Sequence, residues 1–138
     1  MIYGVGCDVV EVARVAEVMA ERGDRFARRI LSEPEWATYE KRRALSPARG
    51  LAYVASRWAA KEAISKALGT GISGDVTFHS MIIGHRDSGA PTVCFAEPLA
   101  ERLSRESITV HVSITDEKNV VAAFAVAEVR DNDRSYLP

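Results

Sequence analysis

The chain has 138 residues, enough for one domain with a hydrophobic core and too few for two ordinary domains. Hydrophobic residues make up 47% and charged residues 27%, with a net charge of -1, which argues against a general nucleic-acid binder. No apolar run approaches the roughly 20 residues of a membrane span, and no secretory signal precedes the first strand. We therefore expect a cytoplasmic protein that binds neither nucleic acid nor membrane. Cys7 and Cys94 lie in unrelated contexts, so no disulfide framework is predicted.

The first half of the chain is predicted to be one short strand followed by helices. Residues 2 to 7 have the pattern of a strand, and a helix should follow Asp8, which would then lie at the strand-to-helix junction. Ser32, Pro34 and Glu35 form a capping-box pattern and predict a second helix that runs toward Arg43.

A long third helix is predicted from Ser46-Pro47 to Leu68. Alanines recur along one face of this segment, and such a stripe of small residues lets a helix pack closely on a sheet. Gly69 and Gly71 follow and can adopt the left-handed conformation that ends many helices.

The second half is predicted to form two β-hairpins. Residues with high β propensity dominate 76–86, 91–96, 108–115 and 120–129. Turns are expected at 87–89 and 116–119, with a short helix at 98–103 between the hairpins. Helices followed by hairpins indicate an α+β fold, with a mostly antiparallel sheet packed against the long helix.

Asp8, Glu62 and Lys66 are candidates for a metal and phosphate site. Mg²⁺ prefers hard oxygen ligands and commonly takes one or two carboxylates, with phosphate and water completing its shell. A lysine would neutralise charge on the same phosphates. The spacing of Glu62 and Lys66 also fits a plainer alternative, a surface ion pair worth a few tenths of a kcal/mol. Both interpretations are open at this point.

The last hairpin offers a second candidate site. Alternation from 108 to 115 places the apolar residues on one face and Thr109, His111, Ser113 and Thr115 on the other. Such a polar face is usually solvated or hydrogen-bonded to its neighbours. Asp116 follows at the predicted turn, where turn chemistry alone would explain an aspartate.

Four segments together resemble the holo-acyl-carrier-protein synthases, the small single-module branch of the 4'-phosphopantetheinyl transferases. They are residues 4–12, 57–63, 66–71 and 111–115, and the resemblance runs from Met1 to about Glu128 in the expected order. It implies a 4'-phosphopantetheinyl transferase fold over residues 1–129, while the polar composition of residues 130–138 predicts a flexible C-terminal tail. It also implies a homotrimer with its sites in clefts between subunits.

The resemblance further implies a reaction. The 4'-phosphopantetheine arm of coenzyme A moves to a serine of an acyl carrier protein, either free or a carrier domain of a fatty acid synthase, and adenosine 3',5'-bisphosphate is released. By the family pattern Asp8 and Glu62 hold Mg²⁺ on the pyrophosphate, and Lys66 lies against the same phosphates. A metal ion and a lysine suit this chemistry, because attack of an alkoxide on phosphorus accumulates negative charge.

Other residues are assigned to binding by the same resemblance. Those expected at coenzyme A are Arg57, Gly69, Thr70, Gly71, Gly89, Pro91 and His111. Arg14 matches a family position that docks the acidic carrier protein, and Arg22, Arg25 and Arg28 could extend that surface. Composition by itself leaves these arginines as either a solvated face or a site for an acidic protein or phosphate.

Asp116 departs from the family pattern, which most often has a second histidine there to help deprotonate the nucleophile. Asp116 could be the base itself, directly or through a water; it could add a third carboxylate near the magnesium; or it could be only a turn residue. Its solvated pKa is near 3.9, against about 6.5 for histidine, and His111 is an alternative base. Two other functions stay open: a non-catalytic coenzyme A or carrier-binding module, and a scaffold that binds an acidic partner.

Overall fold

A long helix lies across one face of a three-stranded antiparallel sheet. The structure is a computed structural model, and it describes residues 1–130. The elements in chain order are β1 (Ile2–Glu11), α1 (Val12–Arg22), α2 (Asp24–Ile30), α3 (Glu33–Leu45), α4 (Pro47–Ala67), a 3-10 turn (Phe78–Ser80), β2 (Met81–His85), β3 (Pro91–Phe95), α5 (Leu99–Arg105), β4 (Ile108–Asp116) and β5 (Val120–Val129). Strand β5 pairs antiparallel with β1 and with β4, while β2 and β3 form a separate hairpin. The predicted α+β fold is confirmed.

Strand β1 and helix α4 approach closely because small residues face each other. A Cβ atom on Gly6 would lie 1.9 Å from the carbonyl oxygen of Ala63, and one on Gly4 would lie 2.1 Å from that of Ala67. Ala59, Ala63 and Ala67 are fully or almost fully buried. The predicted alanine stripe therefore packs on the sheet, and the backbone of β1 rests directly on α4.

Strand β1 is longer than predicted and contains Asp8. Asp8 lies opposite Ala123 of β5, and the pairing continues as far as Glu11 opposite Val120. The expectation that Asp8 sits at a strand-to-helix junction is therefore wrong. The partner strand extends β1 by long-range hydrogen bonding, and the local sequence pattern carries no signal of this extension.

Two other boundaries differ from the predictions. Helix α2 was not predicted, and the strand expected from residue 76 begins only at Met81. The Thr77 hydroxyl accepts the Ser80 N–H at 3.1 Å and stabilises the 3-10 turn before that strand. Asp116 is the last residue of β4, opposite Val121, and does not belong to the turn.

The predicted helix and hairpin signals otherwise appear as expected. The N–H of Ser32 donates to Glu35 Oε1 at 2.8 Å at the start of α3. Gly69, Gly71 and Gly89 have positive φ angles of 82°, 63° and 91°, which glycine adopts readily. Arg130 still donates its N–H to Ser107 at 2.8 Å; the rest of the predicted tail lies outside the described residues. No helix within residues 1–130 is long and apolar enough to cross a membrane.

Candidate active site

The three residues predicted to hold a metal and a phosphate lie together between β1 and α4. Asp8 Oδ1 lies 3.2 Å from Lys66 Nζ. Asp8 and Glu62 line one cleft together with Arg14, which we call the carboxylate cleft. Lys66 pairs with Asp8, and the described residues contain no ion pair between Glu62 and Lys66. The interpretation of Glu62 and Lys66 as a plain surface ion pair is therefore wrong.

The close packing of β1 on α4 explains this juxtaposition. Asp8 shares its face of the strand with Gly4 and Gly6, whose backbones touch the helix. Glu62 and Lys66 lie one turn apart on that helix, so a short aspartate side chain reaches the end of the lysine.

The donor set of this cleft fits magnesium. Carboxylate oxygens of Asp8 and Glu62 are the hard ligands that Mg²⁺ prefers. Within residues 1–130 no group of three or more His, Cys, Asp or Glu side chains is placed to hold a metal ion. An ion here would therefore take its remaining ligands from phosphate and water, which is the usual arrangement for Mg²⁺ with a phosphate substrate.

A second cleft lies between α4, α3 and the β2–β3 hairpin, and we call it the arginine cleft. The charged and loop residues that line it are Arg42, Arg49, Arg57, His85, Gly89, Pro91 and Asp116. The guanidinium of Arg57 lies 4.2 Å over the ring of Tyr53, and its Nη1 donates to Ser56 Oγ at 3.0 Å. Arginines beside an aromatic ring suit a ligand that carries phosphate.

Asp116 belongs to the arginine cleft. Burial raises the pKa of its carboxyl above the ordinary value, while the charges of Arg42 and Arg57 oppose that rise. Asp116 lies opposite Val121, and Val121 lies opposite Val10 of β1. Strands about 4.8 Å apart with a rise of about 3.3 Å per residue place the Asp116 and Asp8 Cα atoms roughly 12 Å apart. Within one chain, Asp116 and Asp8 therefore line different clefts.

His111 lies on the opposite face of the sheet, as strand alternation predicted. Its Nε2 is 3.3 Å from Glu128 Oε2, and both side chains are about half exposed. His111 therefore joins neither cleft of its own chain. The Gly69-Thr70-Gly71 turn directly follows α4, and the amides of Thr70 and Gly71 both donate to the carbonyl of Ser65, at 3.3 and 3.2 Å.

Of the arginines expected to dock a carrier protein, Arg14, Arg22 and Arg25 line two adjoining clefts, and Arg28 lies apart from them. Arg22 and Arg25 line a third cleft between α1, α2 and α4 that is partly apolar, and Glu62 lies in its wall. Arg14 lines the carboxylate cleft, which shares Glu62 with this third cleft. Arg28 is directed elsewhere, with its guanidinium 3.9 Å over the ring of Trp36.

Sequence reasoning missed a buried ion pair beside the site. Lys61 Nζ lies 2.6 Å from Glu35 Oε1, and the two side chains are 0% and 1% exposed. Burial lowers the pKa of Lys61, and the neighbouring Glu35 carboxylate opposes that effect. The capping-box pattern explains Glu35 as a helix-capping residue, so it gave no reason to expect the ion pair with Lys61. The available signal for burial was the position of Lys61, which lies next to Glu62 within an alanine-rich segment.

Comparison with known proteins defines the class. Residues 4–125 match the family model described as the 4'-phosphopantetheinyl transferase superfamily. The chain belongs to this superfamily, as its resemblance predicted.

Similar proteins within the superfamily include holo-[acyl-carrier-protein] synthases. The chain is 47% identical over 129 residues to that of Cupriavidus pinatubonensis, covering 93% of this chain and 91% of the relative. The crystal structure of the Neisseria meningitidis synthase has a TM-score of 0.86 at 39% identity, over 93% of this chain and 99% of that one. The Bacillus anthracis synthase, in complex with CoA (3',5'-ADP), has a TM-score of 0.78 at 34% identity, over 94% and 99%.

Proposed function

We propose that this chain transfers the 4'-phosphopantetheine group of coenzyme A to a serine of an apo acyl carrier protein, with Mg²⁺, and releases adenosine 3',5'-bisphosphate. The observation that carries this proposal is the meeting of Asp8, Glu62 and Lys66 beside one cleft. Superfamily membership and relatives named holo-[acyl-carrier-protein] synthase support it. A non-catalytic binding module would have little use for two metal-binding carboxylates beside a lysine.

Asp8 and Glu62 are the residues that would hold the magnesium ion. When bound, the ion neutralises charge on the pyrophosphate oxygens. Lys66 is half exposed and lies 3.2 Å from Asp8, so its ammonium group can donate to phosphate oxygens at the same place. These interactions strengthen as negative charge develops during transfer, which is the condition for lowering the barrier.

The arginine cleft would take the nucleotide end of coenzyme A. Arg57 supplies positive charge there, while Gly89 and Pro91 form the opposite wall. The Gly69-Thr70-Gly71 turn would lie near the nucleotide, as the family resemblance implies. One coenzyme A molecule would then extend from the arginine cleft to the carboxylate cleft.

Asp116 would accept the serine proton, directly or through a water. Burial raises the pKa of its carboxyl, which makes it a better base than a solvated aspartate. Because it lies roughly 12 Å from Asp8 of its own chain, it would act on the carboxylate cleft of a neighbouring copy. His111, on the outer face of the sheet, is the alternative base in such an assembly.

A homotrimer is part of the proposal. The sheet face away from α4 exposes large apolar side chains: Val5 is 65% exposed, Val9 60% and Phe124 53%. An exposed apolar patch of this kind commonly marks an interface. Assembly through this face would cover these side chains and could bring together the two kinds of cleft. The proposed place of action is the cytoplasm.

The experiment that tests the function is modification of an apo carrier protein. The chain is incubated with coenzyme A and Mg²⁺, with and without a chelator, using free carriers and carrier domains of larger synthases. We expect the carrier to gain the mass of one phosphopantetheine group only when magnesium is free. A carrier mass that never changes, with any of these substrates, would rule out the transferase.

A further inference from the structure

Lys61 and Glu35 form a buried ion pair that lines neither the carboxylate cleft nor the arginine cleft. Their side chains are 0% and 1% exposed, with 2.6 Å between Nζ and Oε1. The cost of removing two charges from water largely offsets their attraction, so such a pair adds little net stability compared with apolar packing. A role in geometry is the better explanation for keeping it.

Lys61 uses all three of its N–H donors. It donates to the carbonyl oxygens of Ile30 at 2.7 Å and Phe78 at 2.9 Å, in addition to Glu35. These bonds connect α4 to the end of α2 and to the turn that precedes β2. Arg57, which lines the arginine cleft, lies one helical turn before Lys61 on the same side of α4.

Glu35 makes the complementary connection to the β2–β3 hairpin. Its Oε2 accepts the N–H of Ile83 in β2 at 2.7 Å, and its Oε1 accepts that of Ser32 at 2.8 Å. Gly84, the next residue of β2, lines the arginine cleft with Gly89 and Pro91. The carboxylate therefore holds the hairpin wall, and the lysine that it binds belongs to the helix wall.

From these contacts we infer that Glu35 and Lys61 are positioning residues that set the spacing between the two walls of the arginine cleft. The inference rests on the proposed function, because that function assigns the nucleotide end of coenzyme A to this cleft. When the pair is broken, the hairpin is no longer held against α4. Affinity for adenosine 3',5'-bisphosphate then falls about tenfold, because the displaced wall loses about one charge-assisted hydrogen bond to the ligand.

The test is calorimetric titration of the full chain with adenosine 3',5'-bisphosphate. Two variants are compared with the natural sequence: Glu35→Gln, which keeps the side-chain volume and one accepting oxygen, and Lys61→Met, which keeps the length of the side chain. Val15→Ala is the matched control, because Val15 is fully buried in α1 and its truncation lowers Tm without touching the hairpin. We expect the Kd to rise about tenfold in both pair variants and to stay unchanged in the control.

The outcomes separate this inference from the proposed function. If Glu35→Gln, the milder variant, is folded and binds the nucleotide as tightly as Val15→Ala, the pair only stabilises the fold and the inference is overturned. Hydrogen exchange of the Ile83 amide in the free chain gives a second readout, and faster exchange in Glu35→Gln supports the anchor. If the natural chain does not bind the nucleotide, the proposed function fails, and the assignment of this cleft fails with it.

Discussion

Gly6→Ala should displace the strand that carries Asp8. The added Cβ would lie 1.9 Å from the carbonyl oxygen of Ala63 and 2.9 Å from the backbone nitrogen of Ala67. Both contacts are to the backbone of α4, so no side chain can move aside to make room.

The magnitude follows from this geometry. A carbon atom normally stays about 3.3 Å from a carbonyl oxygen, so β1 must move away from α4 by roughly 1.4 Å near Gly6. Overpacking of this kind costs about 1–3 kcal/mol of the free energy of unfolding. Asp8 lies two residues further along and is now 3.2 Å from Lys66. A displacement of about 1 Å at reacting groups can cost about 100-fold in rate, so we expect kcat to fall by about that factor.

Thermal unfolding and steady-state transfer of phosphopantetheine to apo carrier measure the two effects. Gly74→Ala is the control. Gly74 has a φ of 59° with open space around the missing Cβ, so the variant should lose about 1–2 kcal/mol of the free energy of unfolding through backbone strain alone and keep its kcat. A Gly6→Ala protein with unchanged Tm and kcat would refute the idea that glycine packing places Asp8.

Four further predictions concern Asp116, the assembly and the docking of the carrier protein. Asp116→Ala should lower kcat more than it raises the KM for coenzyme A, and an unchanged kcat would eliminate Asp116 as the base. Because burial raises the folded-state pKa of Asp116, ionisation opposes folding; Asp116→Asn should therefore gain Tm at neutral pH and lose that gain below the unfolded-state pKa near 3.9. Val9→Asp should convert trimers to smaller species in light scattering, and an unchanged mass would contradict assembly through the apolar sheet face. Reversing the charge of Arg25, which lies outside the carboxylate cleft, should raise the KM for carrier while coenzyme A binding survives, whereas a scaffold would show no coenzyme A dependence.

The fold was predictable where signals are local. The capping box at Ser32 and the glycines after α4 mark helix boundaries within a few residues of the signal itself. The alanine stripe marks the face of α4 that packs on the sheet. The extension of β1 to Glu11 was not predictable, because it depends on pairing with β5, which lies more than a hundred residues further along the chain.

Residue chemistry left the carboxylate cleft as one of two open interpretations, and only the family resemblance favoured it. Helical spacing alone favoured a pair between Glu62 and Lys66, and the structure pairs Lys66 with Asp8. The separation of Asp116 from Asp8 depends on strand register across β5. Neither relationship can be obtained from a single segment of sequence, because each joins residues that meet only after the sheet forms.

The most direct measurement is the mass of an apo carrier protein after incubation with coenzyme A and Mg²⁺, with the modified residue located by peptide mapping. We expect one phosphopantetheine on a single serine, and an equal amount of adenosine 3',5'-bisphosphate released. Asp8→Asn should lower the rate by at least about 100-fold while the chain stays folded. A carrier that stays unmodified by the natural chain, or one modified equally fast by Asp8→Asn, would contradict transfer at the carboxylate cleft.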